Sequence, residues 1–230
     1  MRLLGLIGGM SWESTAIYYR HLNEMVRERL GGLHSAHLLL WSVDFAEIAA
    51  LQHDGRWEEA GDRLAAAAAR LERAGVEGLV LCTNTMHLLA DRLQAAVGIP
   101  LLHIADATGE AIVAAGCKRP ALLATRFTME QAFYAGRLRE RFGLDPRAPD
   151  GTGRGEVHRI IYEELCRGVV TEASRRAALG HIHRLRDQGA DSVILGCTEL
   201  TMLLGPEQVD LPLFDTTRLH AEAAVAFALN

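Results

Sequence analysis

Cysteine is scarce and unpaired in this chain. The four cysteines, Cys82, Cys117, Cys166 and Cys197, form no Cys-x-x-Cys motif. They read as free thiols in a reducing cytoplasm rather than as a disulfide framework. No run of about 18 apolar residues occurs, so no membrane span is expected. Met1–Met10 is apolar but short, holds three glycines and lacks an Ala-x-Ala site, which marks it as a first strand and not a signal peptide. No block of Lys and Arg interrupts the mixed charges, and the net charge is −5, which argues against a nucleic-acid or membrane surface. Gly-x-Gly-x-x-Gly and Gly-x-x-x-x-Gly-Lys-Ser/Thr are both missing, so no nucleotide cofactor is expected. His87, His103, His181 and His183 do not fall at zinc-ligand spacing, and no metal is expected.

What is present is a repeat. Leu79–His87 reads LVLCTNTMH and Val193–Thr201 reads VILGCTELT. Each is an apolar run that breaks into small polar residues. Thr83 and Cys197 align 114 residues apart, close to half of the 230 residues. Leu6-Ile7-Gly8-Gly9 aligns with Leu122-Leu123-Ala124-Thr125 at an offset of 116. Two nearly equal offsets indicate a duplicated unit that presents one reactive group from each half toward a shared cleft. Nearly half of the residues, 49%, are apolar, enough for a sizeable core.

Strand-like and helix-like stretches alternate, which predicts parallel βαβ units. Strands are expected at Arg2–Ile7, Ala36–Val43, Gly78–Cys82 and Pro100–Ile104 in the first half. The second half offers Pro120–Ala124, Ser192–Leu195 and Leu211–Phe214. Helices are expected from Ser11 or Ser14 to Arg29, over Glu58–Ala74 and over Thr85–Ala96. Further helices are expected over Asp106–Ala115, Met129–Phe142, Glu156–Arg167, Thr171–Gln188 and Arg218–Leu229. Leu144–Gly155 reads as a loop or as a loop holding a short edge strand.

Ligands of open parallel sheets bind beyond the carboxyl ends of the strands. Four strand ends carry polar clusters: Gly8-Gly9-Met10-Ser11, Thr83-Asn84-Thr85, Thr125-Arg126 and Cys197-Thr198-Glu199. Amide groups at helix starts favour a carboxylate. Asn84, Thr85 and Thr198 add side-chain donors. Together they suit a small carboxylic acid, although each also reads as a helix cap.

These residues resemble the aspartate/glutamate racemase family. The resemblance rests on Gly8–Thr15 with Tyr18-Tyr19, on Cys82–His87, and on Gly196–Leu200. Leu102–Asp106, Ile161–Leu165 and Phe214–Ala221 also fit. It implies two similar, pseudo-symmetric Rossmann-like α/β domains with mostly parallel sheets and the active site in the cleft between them. Residues 1–105 plus 217–230 would form one domain and 106–216 the other. It further implies racemisation of an amino acid without pyridoxal phosphate or metal. One group takes the α-proton and another reprotonates the opposite face. Most members use two cysteines. Here Thr83 stands at the first position, and the chain is similar to the subgroup with a threonine/cysteine pair.

On this resemblance Cys197 and Thr83 are the catalytic pair, and Gly9, Met10, Asn84, Thr85 and Thr198 hold the substrate. Glu199 either orients Cys197 or complements a helix dipole. The resemblance implies a cysteine whose thiolate becomes accessible once helix dipoles or donors lower its pKa. Strand alternation turns Cys82 away from the site. A threonine hydroxyl is a poor base near neutral pH, so catalysis should be lopsided. After the second strand, Ser42–Ile48 lacks the arginine common in aspartate-specific relatives, and Asp44 or Glu47 would repel an acidic side chain. Gln52 and His53 on the following segment, with Thr125, Arg126 and Arg167, are the remaining candidates, which leaves room for a broader substrate such as homoserine. A homodimer is expected, with the Ala65–Ala69 helix as a packing surface. The alternatives are a decarboxylase or isomerase of a small dicarboxylic acid, or a non-catalytic amino-acid sensor.

Overall fold

The computed structural model describes residues 1–230. Strand β1 (Leu4–Gly8) is buried along its whole length. Its side chains divide by alternation between two faces. Ile7 packs with Leu79 and Leu81 under α3 (Trp57–Arg73), whereas Leu4 and Leu6 pack with Val80 and Cys82 under α1 (Trp12–Leu30). A sheet covered on both faces needs the near-continuous apolar strands seen here. The strands β2 (Leu38–Ser42), β3 (Gly78–Leu81) and β4 (Leu101–Leu102) complete a parallel sheet of order β2-β1-β3-β4.

Helix α1 begins at Ser11, whose side chain accepts from the Ser14 amide at 3.2 Å, and stops at Gly31. Helix α2 (Phe45–His53) is capped by Asp44, which accepts from Ala46 at 3.0 Å. In α3 the buried Ala60, Leu64, Ala67, Ala68 and Leu71 recur at helical spacing, so much of the alanine run lies in this unit's own core. Thr85–Leu89 is a 3-10 turn that leads into α4 (Ala90–Ala95), where one continuous helix was expected.

A second sheet, β5 (Pro120–Ala124), β6 (Ser192–Gly196) and β7 (Leu213–Asp215), has the order β5-β6-β7, all parallel. Its registers repeat those of the first. Leu6 lies beside Val80, which lies beside Leu102; Leu122 lies beside Ile194, which lies beside Phe214. The counterpart of β2 is reduced to a single bridge from Ala121 to Arg147. The chain divides into one unit of Met1–Ile104 with His220–Asn230 and another of Ala105–Leu219. Helix α5 (Ile104–Ala114) opens the second unit, and α11 (Thr216–Leu229) returns to the first.

Three helix boundaries in the second unit differ from the sequence expectation. The helix expected over 129–142 is two: α6 (Arg126–Glu130) and α7 (Ala132–Phe142), broken at the extended Gln131. Helix α8 (Gly151–Arg159) starts five residues early inside the glycine-rich loop, because Asp150 caps it through the Gly153 amide at 2.7 Å. It does not run on to Arg167 as α-helix. Ile160–Glu164 is a π turn and Leu165–Arg167 a 3-10 turn, before α9 (Glu172–Asp187). Helix α10 (Leu200–Leu203) is one short turn after β6.

Candidate active site

In the first unit the sheet ladder ends with the Cys82 amide on the Ile7 carbonyl at 2.9 Å. Cys82 is fully buried among Tyr18, Leu22 and Val80. Burial pushes its thiol pKa far up, so it is inert packing. Thr83 follows, partly exposed, where the chain leaves the ladder. Its amide turns back to the Leu81 carbonyl at 2.8 Å. Its own carbonyl accepts from His87 Nδ1 at 2.7 Å. Asn84 and Thr85 are buried at the start of the 3-10 turn.

The Gly8-Gly9-Met10-Ser11 end is held differently from a simple amide cradle. The Gly9 amide donates to Thr15 Oγ1 at 2.8 Å, and that hydroxyl donates to the Ser11 carbonyl at 2.8 Å. Gly9 has φ +91, and a Cβ there would sit 2.3 Å from the Val43 carbonyl oxygen. Its glycine is therefore required by the turn. The Met10–Ser11 peptide is cis. Met10 is buried in the core with Met86. Gln52 is buried too, with Nε2 2.8 Å from Met86 Sδ, which brings α2 beside the residue after Thr85.

In the second unit Cys197 is partly exposed just past β6. Its Sγ donates to Glu199 Oε2 at 2.9 Å. The expected depressed pKa is reversed. Burial first, then the Glu199 charge and hydrogen bond, and then Cys166, hold the thiol well above its ordinary value. The resting group is a neutral thiol whose proton already points at a carboxylate. Thr198 is buried and its hydroxyl pairs with Thr217 at 2.8 Å, which joins the end of β6 to the start of α11. Thr216 donates to the Leu195 carbonyl at 2.9 Å and reinforces that junction.

Thr125 accepts from the Thr128 amide at 3.5 Å and so caps α6. Arg126 is half-exposed, with Glu130 at 3.9 Å. Glu47 lies 2.5 Å from Arg63, so part of the repulsion expected there is neutralised.

Two features escaped the reading by residue type. Tyr162, on the π turn, has its pKa raised by burial and by the charges of Cys197, Cys166 and Glu199, which places it in the same electrostatic environment as the thiol. Its ring lies 4.6 Å from that of His158. π turns gather at functional sites, but nothing in the residue pattern announces one. The second is a buried histidine group, His87 and His220 with the partly buried His103. Ring centroids are 4.6 Å apart for His87–His103 and 5.6 Å for His87–His220. His220 Nε2 donates to the Leu102 carbonyl at 2.7 Å, and Tyr18 supplies the hydroxyl 2.9 Å from Nδ1. Burial lowers the His220 pKa to about 4. No group of three or more His, Cys, Asp or Glu is arranged to hold a metal ion.

A crystal structure of a candidate Asp/Glu racemase from Yersinia pestis is 53% identical and superposes with a TM-score of 0.95 over 100% of both chains. An aspartate racemase homologue from Pyrococcus horikoshii OT3 is 34% identical with a TM-score of 0.87, again over 100% of both. The broad specificity amino-acid racemase RacX of Bacillus subtilis (strain 168) is 23% identical over 236 residues, 97% of each chain. Residues 7–224 match the profile of the Asp/Glu/Hydantoin racemase family, and the chain belongs to that family.

Proposed function

We propose that this protein is an amino-acid racemase that works by α-proton exchange, with Cys197 and Thr83 serving opposite faces of one substrate. The observation that carries this reading is the Cys197–Glu199 pair. A thiol 2.9 Å from a carboxylate can deliver its proton to a carbanion, and Glu199 can receive that proton when the thiolate is needed as base. Thr83 is the weaker partner, because its hydroxyl is far from titrating near neutral pH. It returns or relays a proton but removes one poorly. Substrate enters as the zwitterion; its ammonium group beside Cys197 offsets the penalty that burial and Glu199 place on the thiolate.

Asn84, Thr85 and the helix-start amides near Thr198 would bind the α-carboxylate, and Gln52 and Arg126 the side chain. With no arginine in Ser42–Ile48, the reading favours broad acceptance over strict selection of aspartate. The test is proton NMR in deuterated water with each enantiomer of aspartate, glutamate and homoserine. Exchange of the α-hydrogen with appearance of the opposite enantiomer is expected for at least one pair. No exchange with any of them would sink the racemase reading in favour of decarboxylation or sensing.

The pair would act in the cytoplasm, a reading supported by four free cysteines. It would act in a homodimer built on β2. That edge strand exposes Leu39, Leu40 and Trp41 and carries neither proline nor charge, the usual guards of an unpaired edge. Grooves of about 910 Å³, lined by Trp12, Tyr19, Leu33 and Leu40, and about 590 Å³, lined by Trp41, Val43 and Arg70, flank it. An edge strand is complementary to a second copy of itself about a two-fold axis. Light scattering should give twice the 25.1 kDa chain mass, and Leu39→Lys with Trp41→Lys should give the single mass. A monomeric parent protein would rule this interface out.

A further inference from the structure

We propose that His87 is the positioning residue for Thr83: it holds the Thr83 carbonyl and ties the end of β3 to the segment where the chain leaves the first unit. This inference rests on the racemase reading above and deepens it.

Thr83 lies outside the sheet ladder, so strand pairing does not fix its peptide. The Leu81 carbonyl holds its amide at 2.8 Å. On the other side, its carbonyl is held by the imidazole of His87 at 2.7 Å. The far nitrogen, His87 Nε2, accepts from the Ile104 amide at 3.2 Å, at the first residue of α5. A neutral imidazole has one donor and one acceptor, and the Thr83 carbonyl and Ile104 amide use both, with hydrogen on Nδ1 and the lone pair on Nε2; the Leu102 carbonyl also interacts with the ring. Burial, and after it the neighbouring His103 and His220, keep His87 neutral, its pKa well below the ordinary value. The ring cannot swing away, because it is packed against the rings of His103 and His220.

The second half of the repeat supplies the contrast. Where His87 stands in the first copy, Thr201 stands in the second, and its hydroxyl donates to the Thr198 carbonyl at 2.7 Å. The Cys197 carbonyl instead accepts from the Leu200 amide at 3.1 Å. The thiol half is activated by a carboxylate, and the hydroxyl half is placed by an imidazole. A hydroxyl that cannot gain strength by titration depends on being held where the carbanion forms, and a misplacement of about 1 Å can cost about 10²-fold in rate. His87 touches no reacting atom and acts through Thr83.

The consequence is a face-selective defect, which general loosening of the fold would not produce. His87→Phe keeps a ring but loses both bonds. His87→Asn places an amide donor near the old Nδ1, and His87→Gln places its amide near the old Nε2. For the enantiomer whose α-hydrogen faces Cys197, His87→Phe should keep hydrogen exchange within about threefold of the parent while inversion falls at least about tenfold. His87→Asn should restore most of the inversion, and His87→Gln should not. If His87→Phe does not fold, the Asn and Gln variants carry the test alone. Exchange and inversion falling in parallel for both enantiomers, or Asn and Gln behaving alike, would overturn the inference while leaving the racemase reading intact. Absence of exchange in the parent protein would overturn both, and is told apart because it appears before any substitution is made.

Discussion

Cys197→Ser should abolish inversion in both directions. It should slow α-hydrogen exchange, from the enantiomer that presents its proton to residue 197, by about 10²–10⁴-fold. A serine hydroxyl keeps the size and the hydrogen bond to Glu199 but loses the thiol, whose ordinary pKa is far lower than that of an alcohol. The protein should remain folded, because Cys197 lies partly exposed at the end of β6 and the change from thiol to hydroxyl is small. Amino-acid binding, followed by calorimetry, should survive the change. A Cys197→Ser protein that still exchanged the α-hydrogen at the parent rate would remove Cys197 from the mechanism. A parent protein that bound an amino acid but never exchanged its α-hydrogen would be a sensor.

Glu199→Gln should move two observables in opposite directions. The Glu199 charge and hydrogen bond both push the Cys197 thiol pKa up, after burial. Removing the negative charge makes the thiolate less unfavourable, so the pKa falls. At a fixed pH near 8 the thiolate fraction rises, and alkylation by iodoacetamide should speed up by severalfold. Turnover should nevertheless drop. A hydrogen bond to a charged group contributes about 1.5–3 kcal/mol. Each 1.36 kcal/mol is about tenfold in rate, so a loss of about 10–100-fold in kcat is expected. A glutamate that merely caps the following helix would leave alkylation unchanged. Faster alkylation with undiminished turnover would instead mean that Glu199 restrains the thiol and takes no proton from it.

Together the two substitutions separate the neutral thiol as acid from the thiolate as base. In the free protein the balance favours the neutral form, because burial and the carboxylate act in the same direction. Bound substrate brings the compensating positive charge. A pH profile of kcat/KM should therefore rise toward alkaline pH through the thiol of the free enzyme, and its midpoint should move down in Glu199→Gln.

The alternation of strands and helices was legible because buried parallel strands are nearly all apolar, as in Leu4–Gly8 and Ser192–Gly196. The duplication was legible from two offsets, and the matching strand registers give it a physical form. The side to which Cys82 points followed from strand alternation alone, since Cys82 falls on the Val80 face. Helix ends were legible where a cap was plain, as at Ser11, and were missed where it lay inside a glycine-rich stretch, as at Asp150. Gln131, an ordinary helix former, ends α6 and opens α7 without any local signal.

The residues of the candidate site were named by type and position along the chain, and their chemical states were not. Whether a thiol at a strand end is depressed or raised depends on the summed burial and on which carboxylate its proton meets, so the sign at Cys197 came out opposite to the dipole argument. The Gly9 amide was free to serve a ligand until the fold brought Thr15 Oγ1 to it. In a row of residues His87 stood only at the end of a family segment and off zinc-ligand spacing, with no role of its own. It acquires one because Thr83, Ile104, His103 and His220 converge on it from separate stretches of chain. Sequence fixes local choices, strand against helix and inward against outward, because these depend on neighbours along the chain. Protonation, hydrogen-bond partners and the placing of Thr83 depend on groups far apart in sequence, and only the tertiary structure decided them.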